Sequence, residues 1–482
     1  MLDPQTLASG ASTGAAPQAD VEALRKALEA GYGTDMSALT GGAALRIQSL
    51  DATMQATIQE NQHFRLFNAL PKPKAGATVD EWTEQNGVGG FLGGSTNTET
   101  GVIADATGNY QRRVGMVKYL MTRRQVSFVQ TLQNAIADAE AIEYNNGALQ
   151  LLTDAEFLCF EGDSAVVPTE FDGIYAQLLA GVTAGQVSGD NILDAEASSL
   201  ASINLINQAA ATISRYGNFG VPTDIFMSQL TQADFDSGLD PAFRVALDNQ
   251  PNSVMLGAPV AGIRTSWGNI KTQPDVFIRD EGQQLPFEVE HAAVAAANTF
   301  VPASATVNAA SDDAASKFGA TQAGNYYWLV TGVNAKGQSA GVKTTQTAVA
   351  AGKKAVLTIT ASVSGEETGY VIYRSRKNGT DTTSDFRLVG RVAKAGATTT
   401  WTDLNREIPG TSKAYILNLT PGATAITWRQ LLPMIKFPLY PTVSAVVPWA
   451  QMLFGYLRMS KRRHHVVIKN ILPNGAVWRP FE

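Results

Sequence analysis

A block of alternating β-forming residues interrupts this chain, and the interruption limits the folds that are open to it. Turn-bounded runs with strand-like alternation follow one another between residues 325 and 405, and helix-like segments precede them. Apolar runs resume from about residue 420. A chain that leaves one domain, builds a β-sandwich and returns has a discontinuous parent domain. We therefore predict an α+β protein with an inserted all-β sandwich over residues 296–418, of the immunoglobulin or fibronectin type III kind.

The order of strands within the block is unusual for such a sandwich. The segment with Tyr327 and Asn334 resembles the penultimate strand of that kind of domain, yet it precedes the segments that resemble earlier strands. We therefore expect a circularly permuted sandwich, inserted through neighbouring termini.

Two helices are predicted before the sandwich. Apolar residues recur at helical spacing from Asp138 to Leu158 and Gly162 provides a stop, so a long helix is expected over about 138–161. A second helix is expected to run from an Asp194 N-cap to Gly217. Each has one apolar face, which predicts that each packs on a core.

The glycine-rich stretch between Pro71 and Arg113 is long for a connection inside a compact domain. We predict a two-stranded excursion that carries Trp82 and Phe91 on exposed strands. Exposed aromatic side chains are a liability on a monomer but provide a contact in an oligomer. This stretch is the clearest indication of self-association in the residues alone.

The composition excludes several classes of protein. A net charge of −6 argues against a surface that grips nucleic acid along its whole extent. The single cysteine, Cys159, excludes an intrachain disulfide, and its apolar neighbours favour a buried structural thiol. The longest stretch of low charge, residues 437–457, is interrupted by prolines, which predicts buried strands or turns and no membrane span.

No arrangement of residues indicates catalysis. Ser164 follows Gly-Asp, but the esterase class with that pattern also needs an Asp-x-x-His, so a turn is favoured. Glu288, Glu290 and His291 have no second His or Cys at ligand spacing, which favours a solvated strand end. The glycines at 89–94 lack a following Gly-Lys-Ser/Thr and suit a flexible loop. We predict a protein that is not an enzyme, without catalytic, cofactor or metal sites.

Basic residues provide further candidates for contacts. The cluster Lys461 to Arg463 would touch an acidic neighbouring subunit or nucleic acid, or would only solubilise the start of the strand that follows. Arginines on both sides of residues 114–121 suit bidentate pairing with carboxylates across an interface, although a polar strand edge explains each equally well. The predicted subunit-interface residues are Lys72, Lys74, Trp82, Phe91, Arg112, Arg113, Arg123, Arg124, Lys461, Arg462 and Arg463.

Several segments match one protein family in order along the chain. They are GGAALRIQSLDATM at Gly41–Met54, FEGDSAV around Asp163, EFDGI at Glu170–Ile174, and WRQLLPMIKFPL followed by MLFGYLRMSKRRHHVVIKNI. Through these segments, which span nearly the whole chain, the sequence resembles the major capsid proteins of large tailed bacteriophages with contractile tails.

The resemblance implies the tailed-bacteriophage major capsid fold: an N-terminal arm, an extended E-loop, a P-domain with a spine helix, and an A-domain. These parts would correspond to residues 1–66, 67–120, 121–184 and 185–295, with residues 419–482 completing the P-domain and the capsomer. The implied function is self-assembly into pentamers and hexamers that form an icosahedral shell around double-stranded DNA. The implied location is the virion, after assembly in the host bacterial cytoplasm.

The resemblance also implies partners and leaves alternatives open. The partners would be further copies of the chain, portal and scaffold proteins, decoration proteins, and packaged DNA through non-specific contact, with no membrane. Lys72 and Lys74 are available for the Lys–Asn crosslink of some capsids, but no specific sign indicates one and we expect none. The alternatives are a decoration protein or adhesin that acts through its sandwich, and an encapsulin-like compartment shell.

Overall fold

The computed structural model describes residues 63–103, 105–132, 139–238, 260–280, 299–422, 424–441 and 445–482. Most of the predicted arm, including Gly41–Met54, and the group Glu288, Glu290 and His291 lie outside the described residues. None of the helices in these ranges has the length and apolar character that crossing a membrane requires. The helices are α1 Arg65–Ala69, α2 Phe128–Leu132, α3 Ala139–Glu161, α4 Ile174–Thr183, α5 Asn204–Ser214 and α6 Gln229–Gly238.

The strands fall into three groups along the chain. The first group is β1 Val79–Gly87, β2 Asn109–Met116, β3 Lys118–Ser127, β4 Ile192–Asp194, β5 Asp224–Met227, β6 Gly262–Thr265 and β7 Gly268–Pro274. The second is β8 Ser304–Asn308, β9 Gly324–Tyr326, β10 Trp328–Asn334, β11 Gly337–Lys343, β12 Thr347–Val349, β13 Ala355–Thr360, β14 Gly369–Arg374, β15 Arg387–Ala393 and β16 Thr398–Asp403. The third is β17 Ser412–Leu417, β18 Ile426–Pro438, β19 Val446–Met459 and β20 Val466–Ile471.

A mixed six-stranded sheet has the order β4-β20-β17-β5-β7-β6. Helix α5 packs on it through Ile206, Ala210 and Ile213, which share one helical face. The predicted second helix is wrong at its start, because Asp194 ends β4 instead of capping a helix. The Asp194 carboxylate accepts a hydrogen bond from Asn470 Nδ2 at 2.7 Å, which ties β4 to β20.

Three long strands form a second sheet with the order β18-β19-β3, and α3 lies against it. Helix α3 has 23 residues and confirms the predicted long helix; its length is about 35 Å. Leu151, Ala155 and Cys159, each four residues apart, are buried along one side of the helix. The prediction of a buried structural thiol at Cys159 is therefore confirmed.

The β1–β2 hairpin is the two-stranded excursion that the sequence predicts. The two strands pair with each other along their length, from Val79 opposite Met116 to Gly87 opposite Asn109, and form a sheet of their own. Phe91 belongs to the loop at the tip and not to a strand, so that detail of the prediction is wrong. Trp82 is on a strand but is only partly exposed, because it packs against the main core.

Between residues 304 and 403 the chain forms two larger antiparallel sheets with a common core. Their orders are β11-β10-β14-β15 and β16-β13-β8, and the small pair β9 and β12 joins the same core. Trp328, Leu357 and Tyr370 meet inside it. In the first of these sheets β10 pairs with both β11 and β14, so two strands that are adjacent in the chain lie beside a later one. The assignment of this layer to the immunoglobulin or fibronectin type stays a prediction.

The predicted range of the insert, residues 296–418, is too long at its C-terminal end. Strand β17 lies inside the six-stranded sheet, between β5 and β20, where Tyr415 pairs with Phe226 and Val467. Its Ala414, Tyr415, Ile416 and Leu417 are fully buried. The chain has therefore returned to the parent domain by Ser412. Sequence alone did not separate this strand from the preceding ones, because both are short apolar runs.

Candidate subunit interface

The β1–β2 hairpin presents two different faces. Side chains alternate along a strand, so Asp80, Trp82 and Glu84 point inwards while Val79 and Glu81 point outwards. The loop that joins the strands carries large apolar side chains, and each of them is at least 80% exposed: Val88, Phe91, Leu92, Val102 and Ile103. No described residue covers these side chains, and large exposed apolar side chains gathered in one loop are typical of a protein–protein contact.

Asp80 fastens the base of the hairpin to the sheet beside it. Its carboxylate accepts hydrogen bonds from Tyr456 Oη at 2.6 Å, Arg429 Nε at 2.9 Å and Arg458 Nη1 at 3.2 Å. Burial by itself would raise the pKa of Asp80, but the hydrogen bonds from Tyr456 and Arg429 outweigh it and lower the pKa below its ordinary value. Asp80 is therefore ionised, and it links β1 to β18 and β19.

Glu84 makes a second attachment, four residues after Asp80 and on the same face of β1. Arg462 donates to its carboxylate from Nη2 at 2.9 Å and from Nε at 3.3 Å, and Arg113 donates from Nε at 3.3 Å. Glu84 and Arg462 are almost completely buried. Gly181 of α4 leaves the room that the guanidinium needs, since a Cβ there would lie 2.8 Å from Arg462 Nη1.

Several predicted interface residues are thus engaged inside the chain. Arg463 donates to the carbonyl oxygens of Asn86 at 3.0 Å and Gln186 at 3.1 Å. Arg124 donates to Glu143 at 3.2 Å and to Gln150 at 2.7 Å, which joins β3 to α3. The guanidinium of Arg458 stacks over the Trp82 ring at 5.2 Å. Together with Arg113 and Arg462, these residues hold the hairpin and the long helix in place.

The other predicted interface residues lie nearer to solvent. Lys72 donates to the Phe67 carbonyl oxygen at 2.7 Å, and Arg123 donates to Gln125 Oε1 at 3.3 Å. Arg112 pairs with Glu81 on the outer face of the hairpin. The remaining three, Lys74, Phe91 and Lys461, have exposed side chains. A role of this group in subunit contacts stays a prediction.

Sequence reasoning missed the two carboxylates, Asp80 and Glu84, that organise the basic residues. The signal was present in the alternation of β1, where Asp80, Trp82 and Glu84 occupy every second position and therefore share a face. An open cleft of about 280 Å³ lies beside this inner face, between the hairpin and α4. Its lining includes Trp82, Arg113 and Gln177.

A second exposed apolar cluster lies at the end of the six-stranded sheet. Tyr216 and Phe219 follow α5, and their rings meet edge to face with centroids 5.5 Å apart. Phe219 has φ of 54°, an unusual conformation for a large side chain. Both rings are more than half exposed, and Val221 and Trp267 nearby are also exposed. The pair of rings, Tyr216 and Phe219, is a further candidate surface, with the exposed Val221 and Trp267 in the same part of the chain.

Comparison with known proteins places the chain among its relatives. No protein-family model matches the sequence. The putative major capsid protein of Enterococcus phage phiEF24C is 27% identical over 470 residues, which cover 93% of this chain and 95% of that protein. The major capsid protein of Staphylococcus phage K is 25% identical over 468 residues, with the same coverage of the two chains.

Solved structures are more distant from this chain. The capsid of a native GTA particle has a TM-score of 0.46 and 10% identity, covering 90% of this chain and 98% of that one. The SrpI encapsulin of Synechococcus elongatus has a TM-score of 0.40 and 8% identity, covering 93% and 99%. The two phage proteins each align with 93% of this chain, so the match is not confined to one domain. This chain is therefore a homologue, along nearly its whole length, of phage major capsid proteins.

Proposed function

We propose that copies of this chain assemble into the icosahedral capsid shell of a phage, as pentamers and hexamers around packaged double-stranded DNA. The relation to major capsid proteins over nearly the full length supports a structural role. The observation in the molecule that carries the proposal is the β1–β2 hairpin, which is fastened at its base and ends in an exposed apolar tip.

The two ends of the hairpin have different tasks in this proposal. The ion pairs of Asp80 and Glu84 hold the base of the hairpin in a fixed orientation, so that little conformational freedom is lost when the tip binds. The tip, with Phe91 and Leu92, then packs on a second copy. Exposed candidates such as Arg112 and Arg123 line the outer faces of β2 and β3 and would make polar contacts around it.

The aromatic cluster around Tyr216 and Phe219 is the second contact in this proposal. It belongs to the segment that corresponds to the A-domain, where copies would meet around the axis of a capsomer. Each contact can be modest, because a closed shell repeats it many times.

The finer features of the function are part of the same proposal. Portal, scaffold and decoration proteins would bind the shell, and DNA would touch its inner wall without specificity. The negative net charge of the chain suits confinement of DNA without tight binding. Assembly would take place in the host cytoplasm, the phage would have a contractile tail, and the chain would have no catalytic activity.

The sandwich is proposed to project from the shell as a rigid part of the subunit. Arg391 of β15 reaches Glu170 at 3.6 Å, and Lys317 reaches Glu196 at 3.0 Å, so ion pairs join it to the parent domain. Gly369 of β14 lies directly against Val166. A separately acting adhesin module would not need such attachments.

The experiment is negative-stain electron microscopy of the full chain, expressed alone and with a candidate scaffold protein. Closed shells, hexamers or flat hexagonal lattices are expected. The double substitution Phe91→Ser and Leu92→Ser is expected to abolish them while the circular dichroism spectrum and Tm stay unchanged. Val363→Ser provides the matched control, because Val363 is a fully exposed apolar residue on the sandwich, and shells should form. Uniform monomers in every preparation, or normal shells from the double variant, would contradict the proposal.

A further inference from the structure

Helix α1 is held by a carboxylate from a distant part of the chain. Glu156, near the C-terminal end of α3, accepts hydrogen bonds from the backbone N–H groups of Leu66 and Phe67, both at 2.7 Å. These amides lie in the first turn of α1, where no partner within the helix exists for them. The side chain of Glu156 is completely buried. The contact therefore ties the start of α1 to the long helix.

A second carboxyl group lies beside Glu156 in the same buried place. Asp275 follows the end of β7 and is 1% exposed. One of its oxygens accepts the Phe277 N–H at 2.9 Å, the other is buried without a donor among the described residues, and each of the two carboxyl groups perturbs the pKa of the other. Two neighbouring carboxylates in a buried environment cannot both be ionised without a large electrostatic cost. The stable arrangement therefore has one proton shared between them.

The surrounding charges are few. Lys72, in the segment after α1, and the buried thiol of Cys159, one turn further along α3, face Glu156. Arg65 of α1 and His63 before it face Asp275. Burial, with the Asp275 charge as the next cause, raises the pKa of Glu156 to about 9, and burial also raises the pKa of Asp275.

The pair lies where three parts of the molecule meet. Helix α1 leads through residues 70–78 into the hairpin, α3 crosses the β18-β19-β3 sheet, and β7 belongs to the six-stranded sheet. Loss of the shared proton would leave two negative charges facing each other at this junction. Helix α1 has five residues and is also held by the packing of Leu66 and Phe67 in the main core, so the like charges would act first on the two amides that Glu156 binds.

We propose that Glu156 and Asp275 form a proton-dependent joint that holds α1, and with it the start of the hairpin segment, against α3 and β7. The joint is tight while the two carboxyl groups share a proton, and it loosens when both are ionised. It is a property of the single chain and does not depend on shell assembly.

The direction of the pH dependence follows from the proton count. While the joint is closed, the two carboxyl groups keep one proton. When the joint opens, their pKa values return to the ordinary range and that proton is lost. Opening therefore becomes up to about tenfold more favourable for each pH unit, from the ordinary pKa of 4.5 to the raised value of about 9. Above that range no further change is expected.

Hydrogen exchange with mass spectrometry on the full chain tests the joint, with protection factors corrected for the intrinsic pH dependence. Between about pH 5.5 and about pH 8.5, protection of the peptide with Leu66 and Phe67 should fall by up to about tenfold per unit, while α5 in the same sample stays unchanged. In Asp275→Asn the like charge is absent but Glu156 stays buried, so the fall should end at a lower pH than in the wild type. Glu143→Gln, a partly exposed glutamate on the same helix, should behave as the wild type.

Two results would overturn the proposal: a flat protection factor in the wild type, or the same fall in Asp275→Asn. Should that variant not fold, Glu156→Gln serves instead. It cannot ionise, and it should show weaker protection of the two amides with no dependence on pH, whereas a retained slope would contradict the joint.

Discussion

Gly147 of α3 lies directly against the side-chain amide of Gln451 on β19. The Gln451 amide nitrogen donates to the Tyr144 carbonyl oxygen at 2.7 Å, and a Cβ at position 147 would overlap the side-chain oxygen Oε1 of Gln451. This contact sets how closely the long helix approaches the sheet, and it occurs in a region where the helix is otherwise regular.

Gly147→Ala is therefore expected to destabilise the protein, by about 1–3 kcal/mol, because the extra methyl group must displace Gln451 or the helix. In a helix with free space at this position, replacing Gly by Ala would stabilise the protein by up to about 1 kcal/mol. The sign of the change in the free energy of unfolding therefore distinguishes a close approach of helix and sheet from an open position. The measurement is the free energy of unfolding in urea. Asn145→Ala, at an exposed position two residues earlier, is the control and should not destabilise. A more stable Gly147→Ala protein would refute the close approach.

Glu84→Gln should weaken the attachment of the hairpin. The substitution leaves the buried guanidinium of Arg462 without its charged partner, and such losses cost about 3 kcal/mol or more. Glu81→Gln on the same strand removes a solvent-exposed pair with Arg112 and should cost less than about 1 kcal/mol. Urea unfolding and hydrogen exchange along residues 79–116 measure both effects. Equal costs for the two variants would show that the base of the hairpin does not depend on the buried pair.

Trp478→Ala should loosen the sandwich without unfolding the parent domain. The Trp478 indole donates to Asp385 Oδ1 at 3.2 Å and its ring stacks with Arg387 at 4.9 Å, so it fastens the end of the chain to β15. Limited proteolysis and hydrogen exchange should reveal increased access around residues 376–387 and unchanged protection of β17 and β20. The exposed neighbour Val477→Ala is the matched control. Increased exchange that spreads over the six-stranded sheet would mean that Trp478 supports the whole fold instead.

Glu161 at the end of α3 should make a large contribution to acid stability. Burial would raise its pKa, but the charges of Lys413, at 3.3 Å, and Arg279 outweigh it and lower the pKa to about 2. A carboxyl group with a depressed pKa in the folded state stabilises above its ordinary pKa of 4.5 and loses that contribution as the pH falls towards about 2.

The test for Glu161 is the free energy of unfolding between pH 5 and pH 2 in the wild type and in Glu161→Gln. The variant should be less stable at pH 5 and should lose less stability on acidification. Glu196→Gln removes an exposed pair with Lys317 and serves for comparison, with a slope close to that of the wild type. Parallel curves for Glu161→Gln and the wild type would contradict this prediction.

The amino-acid sequence by itself determined the elements whose signal is local. Helical spacing of apolar residues specified α3 almost to its ends, and alternation indicated strands between residues 325 and 405, although β8 lies before that range and was not predicted. Glycine-rich composition indicated the hairpin, and the order of family-like segments indicated the relationship to phage major capsid proteins that the alignments confirm. These features depend on backbone geometry and side-chain periodicity within a few turns or residues.

Tertiary structure alone decided which side chains meet. Arg462 follows Glu84 by 378 positions, and Glu156 precedes Asp275 by more than a hundred, so no local pattern could indicate either pair. For the same reason four of the basic interface candidates, Arg113, Arg124, Arg462 and Arg463, proved to make contacts inside the chain, and Asp194 proved to end a strand. Strand β17 joined the parent sheet because its partners, β5 and β20, come from opposite sides of the insert. Pairings of this kind depend on how the whole chain packs, because they gain their energy from burial that only the assembled core provides.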